Sequence, residues 1–241
     1  MGVSEPTYYL SVFAAVGIMA IGSALQAAAG VGLALLVVPL LTLIDPSYIP
    51  GPMLAAGVVL AAMTAWREKH AVDRIGLSLS LAGLLIGTIV GAVALKSLQG
   101  PALPKVFGVL VLLAVLLSIF GPQLNATARS LSVAGGAAGI MGTMVGIHGP
   151  PIALVFQNAE PAVARAMLGA FFTVAYVGSV AALFAVGLFG WSELARAAIL
   201  LPGVGLGIIA APFIAPLVNR SRLRWTILAV SAVSALILLT K

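Results

Sequence analysis

The chain has 241 residues, of which 62% are hydrophobic and only 7% are charged. A water-soluble domain carries roughly a quarter of its residues as charged side chains, so this composition excludes an ordinary soluble domain and predicts an all-α polytopic membrane protein. The formal net charge of +6 comes from Lys and Arg residues scattered through predicted loops, without the dense basic patch that binds a phosphate backbone, so we expect no nucleic-acid partner.

The first half of the chain divides into five apolar segments. Residues 8–29 are long enough to span a bilayer, which takes about 20 apolar residues. A shorter run over 31–44 contains Pro39 and ends at a turn, Asp45-Pro46-Ser47. The remaining predicted segments of this half are 52–66, 75–95 and 104–120.

The second half shows the same order of segments. A Gly/Ala-rich span over 128–147 is broken at Gly149-Pro150-Pro151, and a very short apolar piece, 152–157, follows. Three longer segments complete this half, at 163–188, 194–217 and 223–240. The two short pieces predict half-helices, which are tolerated at membrane depth only inside protein or beside a cavity. Interrupted segments at matching places in two halves are typical of a transporter binding site.

Small residues and helix starts recur between the halves, which predicts two repeats, 1–122 and 123–241. Five segments in each repeat is an odd number, so we expect inverted repeats and about ten transmembrane or half-spanning helices. Small residues at every fourth position share one helix face and permit close packing, so we expect them to join the halves and not to bind ligand. A shift of 120 residues pairs Asp73, Gly83, Gly87 and Gly91 with Glu193, Gly203, Gly207 and Ala211, and a shift of 116 pairs Gly30 with Gly146.

Loop charge predicts the orientation in the inner (plasma) membrane. With the N-terminus outside, seven Lys and Arg residues lie in inner loops and four lie on the outer side. The positive-inside rule therefore favours an N-out, C-out topology. The inner residues are Arg67, Lys69, Arg74, Arg129, Arg220, Arg222 and Arg224, and the outer ones are Lys96, Lys105, Arg196 and Lys241.

Few polar residues lie at membrane depth, and their burial there is costly. Gln26 precedes the first break, and His148 lies in the second, either as a hydrogen-bonded structural residue or as a ligand-binding or proton-titrating group. Arg165 heads a stripe on its helix that includes Tyr176. It either reaches the interface and pairs with Glu160, or grips an oxyanion through its guanidinium. No Asp or Glu lies well inside a predicted span, so an anionic substrate is the interpretation that fits.

Enzymatic functions are disfavoured. The chain has no cysteine and only two histidines, of which His70 lies in a charged loop. A Ser–His–Asp arrangement would need a buried acid that this sequence does not offer. We therefore expect no catalytic residues, no metal site and no cofactor.

The pattern resembles the sulfite exporter TauE/SafE family of anion permeases over nearly the whole chain. The loop Trp66-Arg67…Val72-Asp73-Arg74 before a Gly-rich helix carries the resemblance in the first half. In the second half it is carried by Gly146-Ile-His-Gly-Pro-Pro151 followed by Arg165-Ala166. The resemblance implies transport of small sulfur-containing anions such as sulfite or sulfonates. It places the substrate region at the broken segments, near Gly30, Gly32, His148, Gly149 and Arg165.

The first-half run Gln26-Ala-Ala-Ala-Gly-Val-Gly32 departs from the denser glycine run of that family, which moves the expected site toward the second half. The predicted substrate-binding residues are Gln26, Gly30, Gly32, His148, Gly149, Arg165 and Tyr176. The preferred interpretation is an exporter that works by alternating access between inverted repeats. The alternatives are a channel-like anion facilitator and a non-transporting membrane scaffold or assembly protein. The lipid bilayer and a small anion are the expected partners, and the oligomeric state is left open.

Overall fold

The computed structural model describes residues 5–29, 33–98, 102–217 and 219–240. Within those ranges the chain forms ten α-helices and no strand. Six of the helices are long and apolar enough to cross a membrane. The predicted polytopic all-α class is therefore confirmed. The helices are α1 (Glu5–Ala29), α2 (Leu33–Ile44), α3 (Gly51–Arg67), α4 (Arg74–Ser97), α5 (Ala102–Phe120), α6 (Ala128–Val145), α7 (Gly149–Phe156), α8 (Pro161–Ala185), α9 (Trp191–Ile214) and α10 (Arg220–Thr240).

The two predicted half-helices are present as α2, with 12 residues, and α7, with 8 residues. At 1.5 Å rise per residue they are about 18 Å and about 12 Å long, well short of the hydrocarbon core, which is about 30 Å thick. α7 begins at Gly149 and not at the predicted 152, because proline is tolerated in the first turn of a helix. Both are buried by their neighbours through residues such as Val38, Leu41, Ile152 and Val155.

The break between α6 and α7 depends on Gly146. This residue closes α6 with a φ of 87°, in the left-handed region that glycine adopts without strain. His148 then precedes α7, whose first turn contains Pro150 and Pro151. The helical run is therefore interrupted inside the protein, at the place where the Gly/Pro pattern predicted it.

The glycine stripe of α4 packs against α6. A Cβ atom at Gly83 would collide with the carbonyl oxygen of Ser132, and one at Gly87 would collide with that of Gly136. On α9, a Cβ atom at Gly203 or Gly207 would collide with backbone atoms of α1. Each contact joins a helix of residues 1–122 to one of residues 123–241, so the predicted packing role of these glycines is confirmed.

Helices at equivalent places in the two halves run antiparallel. Gly51, at the start of α3, lies against Phe189, just beyond the end of α8, whereas Gly169 near the start of α8 lies against Ala65 near the end of α3. In the same way, Gly108 early in α5 lies against α10 near its end. Two repeats related by an axis along the membrane normal would have parallel equivalents, so antiparallel pairing is the arrangement that inverted repeats produce.

Half-helix α2 is attached to α10 by a hydrogen bond that compensates for a proline. Pro39 has no N–H, so the carbonyl of Leu35, four residues earlier, lacks its usual helical donor. The hydroxyl of Ser231 on α10 donates to that carbonyl, and the Ile227 carbonyl of its own helix lies at 2.7 Å as a second acceptor. Ser231 is fully buried, so α10 holds the first turn of α2 in place.

We expect Ser231→Ala to lower the free energy of unfolding by about 1–2 kcal/mol, because the Leu35 carbonyl then has no donor. In a Pro39→Ala background the N–H of residue 39 satisfies that carbonyl, so the same change should cost much less. Thermal unfolding of the parent, both single variants and the double variant in detergent measures the difference. Equal losses in the two backgrounds would show that the hydroxyl does not serve this carbonyl.

Candidate functional site

A cavity of about 650 Å³ lies where the two half-helices begin. Ala34 and Leu35 reach it from the first turn of α2, and Gly149 and Pro150 reach it from the first turn of α7. The interrupted segments of the two halves therefore converge on one space. The other lining residues are Gln26, Ser118, Ala153, Leu154, Gln157, Phe172, Tyr176, Leu223, Arg224, Ile227 and Leu228.

One part of the cavity wall is polar, and its side chains contact one another. The side chains of Gln26 on α1 and Tyr176 on α8 form a hydrogen bond, and both residues are buried, with 6% and 2% exposed. The Tyr176 ring also stacks on Phe172, with ring centroids 6.0 Å apart and 15° between the planes. An amide and a phenol group from opposite halves of the chain therefore meet at this wall.

A second polar group lies where α5, α7 and α10 meet. The guanidinium of Arg224 near the start of α10 donates to the carbonyl of Ser118 near the end of α5. The Gln157 amide donates to the Pro122 carbonyl at 3.3 Å. Arg224 is the one charged residue among the described residues that line the cavity. The positive ends of the α2 and α7 dipoles and this guanidinium give the cavity a positive potential.

His148 lies directly behind this wall and is fully buried. Its Nε2 atom is 3.1 Å from the hydroxyl of Ser179, which is 2.8 Å from the hydroxyl of Thr143. Its ring centroid is 5.3 Å from that of Tyr176. Of the predicted site residues, Gln26, Gly149 and Tyr176 line the cavity. His148 contacts Tyr176 but does not itself line the cavity.

Arg165 is not brought to the cavity. Its Nε atom is 3.0 Å from Oε1 of Glu68, with the two side chains 39% and 30% exposed. The residue is thus paired, but with Glu68 at the end of α3 and not with Glu160. Arg165 and Tyr176 do share a face of α8, yet eleven positions separate them by about 16 Å along the axis. A substrate-binding role for Arg165 stays a prediction, and the geometry favours a link between α3 and α8.

Two further predicted residues, Gly30 and Gly32, lie outside the described residues. Conversely, the structure places Arg224 and Phe172 at the cavity, and the sequence interpretation assigned neither to the site. Arg224 looks like an ordinary inner-loop cation in the sequence, since Arg220 and Arg222 precede it. Only the antiparallel packing of α10 on α5 distinguishes it from them. Phe172 lies four positions before Tyr176, on the same face of the helix, and could have been included on that basis.

A second cavity of about 430 Å³ lies among α5, α6 and α7, where Thr127, Arg129 and Ser130 line it together with a majority of apolar residues. It contains none of the polar groups formed by Gln26, Tyr176 and Arg224, so we place the candidate site in the larger cavity. Among the described residues, no group of three or more His, Asp or Glu side chains is arranged to hold a metal ion.

Comparison with known proteins gives one match. The family model described as sulfite exporter TauE/SafE matches residues 13–238, which is nearly the whole chain. No curated protein and no solved structure matches the chain significantly. The match covers both half-helices and every residue at the cavity. The chain belongs to the sulfite exporter TauE/SafE family.

Proposed function

We propose that this protein is a secondary transporter that binds small organic sulfur anions, of the sulfonate type, in the cavity between α2 and α7. Membership of a family of sulfite exporters makes the chain a multi-pass membrane transporter in the broad sense. The observation that carries the narrower proposal is the cavity itself: two half-helices begin there, Arg224 lines it, and no carboxylate is present among its described lining residues.

An anion suits this cavity for electrostatic reasons. The first turn of a helix carries a partial positive charge, and two such ends adjoin the same space. In the first three residues of α7 only Gly149 has an N–H to offer, because Pro150 and Pro151 have none. Discontinuous membrane helices hold anionic groups of substrates in this way in other transporter folds. Gln26 and Tyr176 add an amide and a hydroxyl, which fix the orientation of a head group without adding charge.

The size and polarity of the cavity favour an organic sulfonate over sulfite alone. About 650 Å³ is far more than an inorganic ion with one sulfur and three oxygen atoms occupies. Much of the remaining wall is apolar, through side chains such as Leu35, Phe172, Ile227 and Leu228. A sulfonate head against Gln26, Tyr176 and the α7 N-terminus would leave its alkyl part against this apolar wall.

Binding and exchange tests separate this proposal from its rivals. We expect detergent-purified protein to be stabilised thermally by small alkanesulfonates more than by sulfite, with chloride as the control anion. In vesicles, uptake of labelled sulfonate should saturate and should accelerate when unlabelled sulfonate is present on the opposite side. Flux without saturation or exchange would instead indicate a channel-like facilitator. Absence of any anion-dependent stabilisation would favour a scaffold protein and contradict the proposal.

For the orientation, we propose an inner-membrane protein with both termini outside the cytoplasm, supported by the excess of Lys and Arg residues in the loops that would then lie inside. Arg224 and Gln157 would then lie toward the cytoplasm, so the cavity would load from that side, as export requires. A reporter that is active only in the cytoplasm, fused after Lys241, should stay inactive. Strong activity of that reporter would contradict the topology.

A further inference from the structure

The second cavity, of about 430 Å³ among α5, α6 and α7, opens on the outer surface of the helix bundle. Val133 on α6 lines it and is 64% exposed. Arg129, one turn earlier on α6, also lines it and is exposed. In a membrane protein an exposed apolar side chain faces the lipid tails, which are as apolar as leucine. The cavity is therefore a groove that an acyl chain of the bilayer can enter, and we call it the lateral groove.

The lateral groove has one charged end and an apolar length. Arg129, Val133 and Ala137 are four residues apart, so they share one face of α6 along the groove. These eight steps of helix cover about 12 Å. Leu117 on α5 and Leu154 on α7 contribute to the facing wall. Arg129 is the one charged residue of α6 and lies in its first turn, so the charge is confined to one end.

The positive charge at this end is not neutralised within the described part of the chain. The two nearby hydroxyl groups already serve the helix end: the N–H of Ser130 donates to the Thr127 hydroxyl, and the N–H of Thr127 donates to the Ser130 hydroxyl. Neither ion pair between described residues includes Arg129, and no Asp or Glu is among the described residues that line the groove. The guanidinium therefore stays available to an anion from outside the chain.

We propose that the lateral groove is a binding site for an anionic phospholipid. The head-group phosphate contacts Arg129, and one acyl chain lies along Val133 and Ala137. A phospholipid fits because its anionic head and its apolar chain are joined in the same order as the charged end and the apolar length of the groove. The inference does not depend on the identity of the transported substrate.

Half-helix α7 separates the lateral groove from the candidate substrate site. Leu154 lines both spaces, Pro151 lines the groove, and Pro150 lines the candidate site. With only eight residues, α7 depends on its neighbours for stability, because short helices are not stable by themselves. A bound acyl chain adds apolar contacts on the groove side of α7. Lipid binding should therefore stabilise the folded protein.

Two phospholipids with the same acyl chains test the site: dioleoyl phosphatidylglycerol, which is anionic, and dioleoyl phosphatidylcholine, which has no net charge. Native mass spectrometry of detergent-purified protein measures their binding, and thermal unfolding measures stabilisation. We expect phosphatidylglycerol to bind more tightly and to raise the unfolding midpoint more than phosphatidylcholine. Glycerol phosphate, which has the head-group charge without acyl chains, should not raise it. Equal binding of the two lipids, or equal stabilisation by glycerol phosphate, would overturn the inference.

The charged end is tested with Arg129→Gln, which should weaken phosphatidylglycerol binding about fivefold and leave phosphatidylcholine binding nearly unchanged. The matched control is Arg74→Gln. Arg74 is an exposed arginine in the first turn of α4, which packs parallel to α6, but it does not line the groove. That variant should bind both lipids like the parent. Equal losses in the two variants would show a general attraction to surface charge and would contradict a site at Arg129.

The apolar length is tested with Ala137→Phe, which fills the groove and should weaken binding of both lipids about fivefold or more. Val133→Trp has the same purpose at a side chain that is 64% exposed, so it tests the groove even if Ala137→Phe does not fold. The control is Leu113→Phe, at an exposed leucine of α5 outside the groove, which should bind like the parent.

The same spectra show whether a second copy of the chain occupies the groove instead. A dimer that persists without lipid and is lost in Ala137→Phe or Val133→Trp would assign the groove to protein contact and overturn the inference. Parent-like lipid binding by the folded groove variants would overturn it as well. None of these measurements uses a sulfonate, so the lipid site can fail while the proposed function stands, and the reverse.

Discussion

Gly207→Ala should destabilise the protein strongly, whereas Gly205→Ala, two positions away on the same helix, should not. A Cβ atom at Gly207 would collide with the backbone of Ala20 and Ala24 on α1, which cannot move without separating the helices. Overpacking of this kind costs about 1–3 kcal/mol or more. A chain of this length loses about 2–4 °C per kcal/mol, so we expect the unfolding midpoint in detergent to fall by about 2–12 °C.

Gly205 is the matched control because a Cβ atom there meets nothing within 4 Å. Alanine favours helix by about 1 kcal/mol over glycine, so Gly205→Ala should be neutral or slightly stabilising. Gly87 on α4, the first-half equivalent of Gly207, tests the repeat: Gly87→Ala should be as damaging as Gly207→Ala. Its control is Gly178→Ala on α8, where a Cβ atom meets nothing within 4 Å. Equal midpoints for Gly205→Ala and Gly207→Ala would refute the close contact between α9 and α1.

Arg224→Ala should weaken sulfonate binding by about tenfold or more. The guanidinium is the one charge among the described cavity residues, and a charge-assisted hydrogen bond contributes about 1.5–3 kcal/mol. Arg224→Lys should recover part of the loss, because the ammonium keeps the charge but not the forked geometry. Isothermal titration with a small alkanesulfonate measures both variants, and the difference from the parent should shrink at high ionic strength.

Arg165→Ala is the control for this prediction. It removes the ion pair with Glu68, whose partly exposed partners contribute about 1 kcal/mol or less to stability, and it should leave sulfonate affinity within about twofold of the parent. The opposite result, with Arg165→Ala weak and Arg224→Ala normal, would move the site to the end of α8. It would also support the role that the sequence pattern predicted for Arg165.

The arrangement of helices was largely predictable because its determinants are local. The long apolar runs predicted membrane spans, and the short runs at 31–44 and 152–157 predicted half-helices. Gly146, Pro150 and Pro151 predicted the break between two helices. The spacing of Gly83, Gly87 and Gly91 predicted a packing face, because small residues four apart share one side of a helix.

The candidate site was predictable only where it adjoins those breaks. Gln26, His148 and Gly149 are next to interruptions of the chain, which is a signal within the sequence itself. The two arginines were less predictable, because a helical stripe gives the face of a residue but not its partner on another helix. For Arg165 the sequence offered Glu160 or an oxyanion as partner, whereas the structure pairs it with Glu68, 97 positions away in the chain.

The sequence by itself determined that the protein is a membrane protein, where its helices break, and which helix faces are lined by small residues and can pack closely. These features depend on composition and on the local effects of proline and glycine, which do not need the rest of the fold. Only the tertiary structure decided which cation faces the cavity, since antiparallel α5 and α10 carry Arg224 to it while α3 neutralises Arg165 with Glu68. The hydrogen bond from Ser231 to Leu35 and the one between His148 and Ser179 were decided there as well. In both cases helix packing brings together two polar atoms that are far apart in the chain.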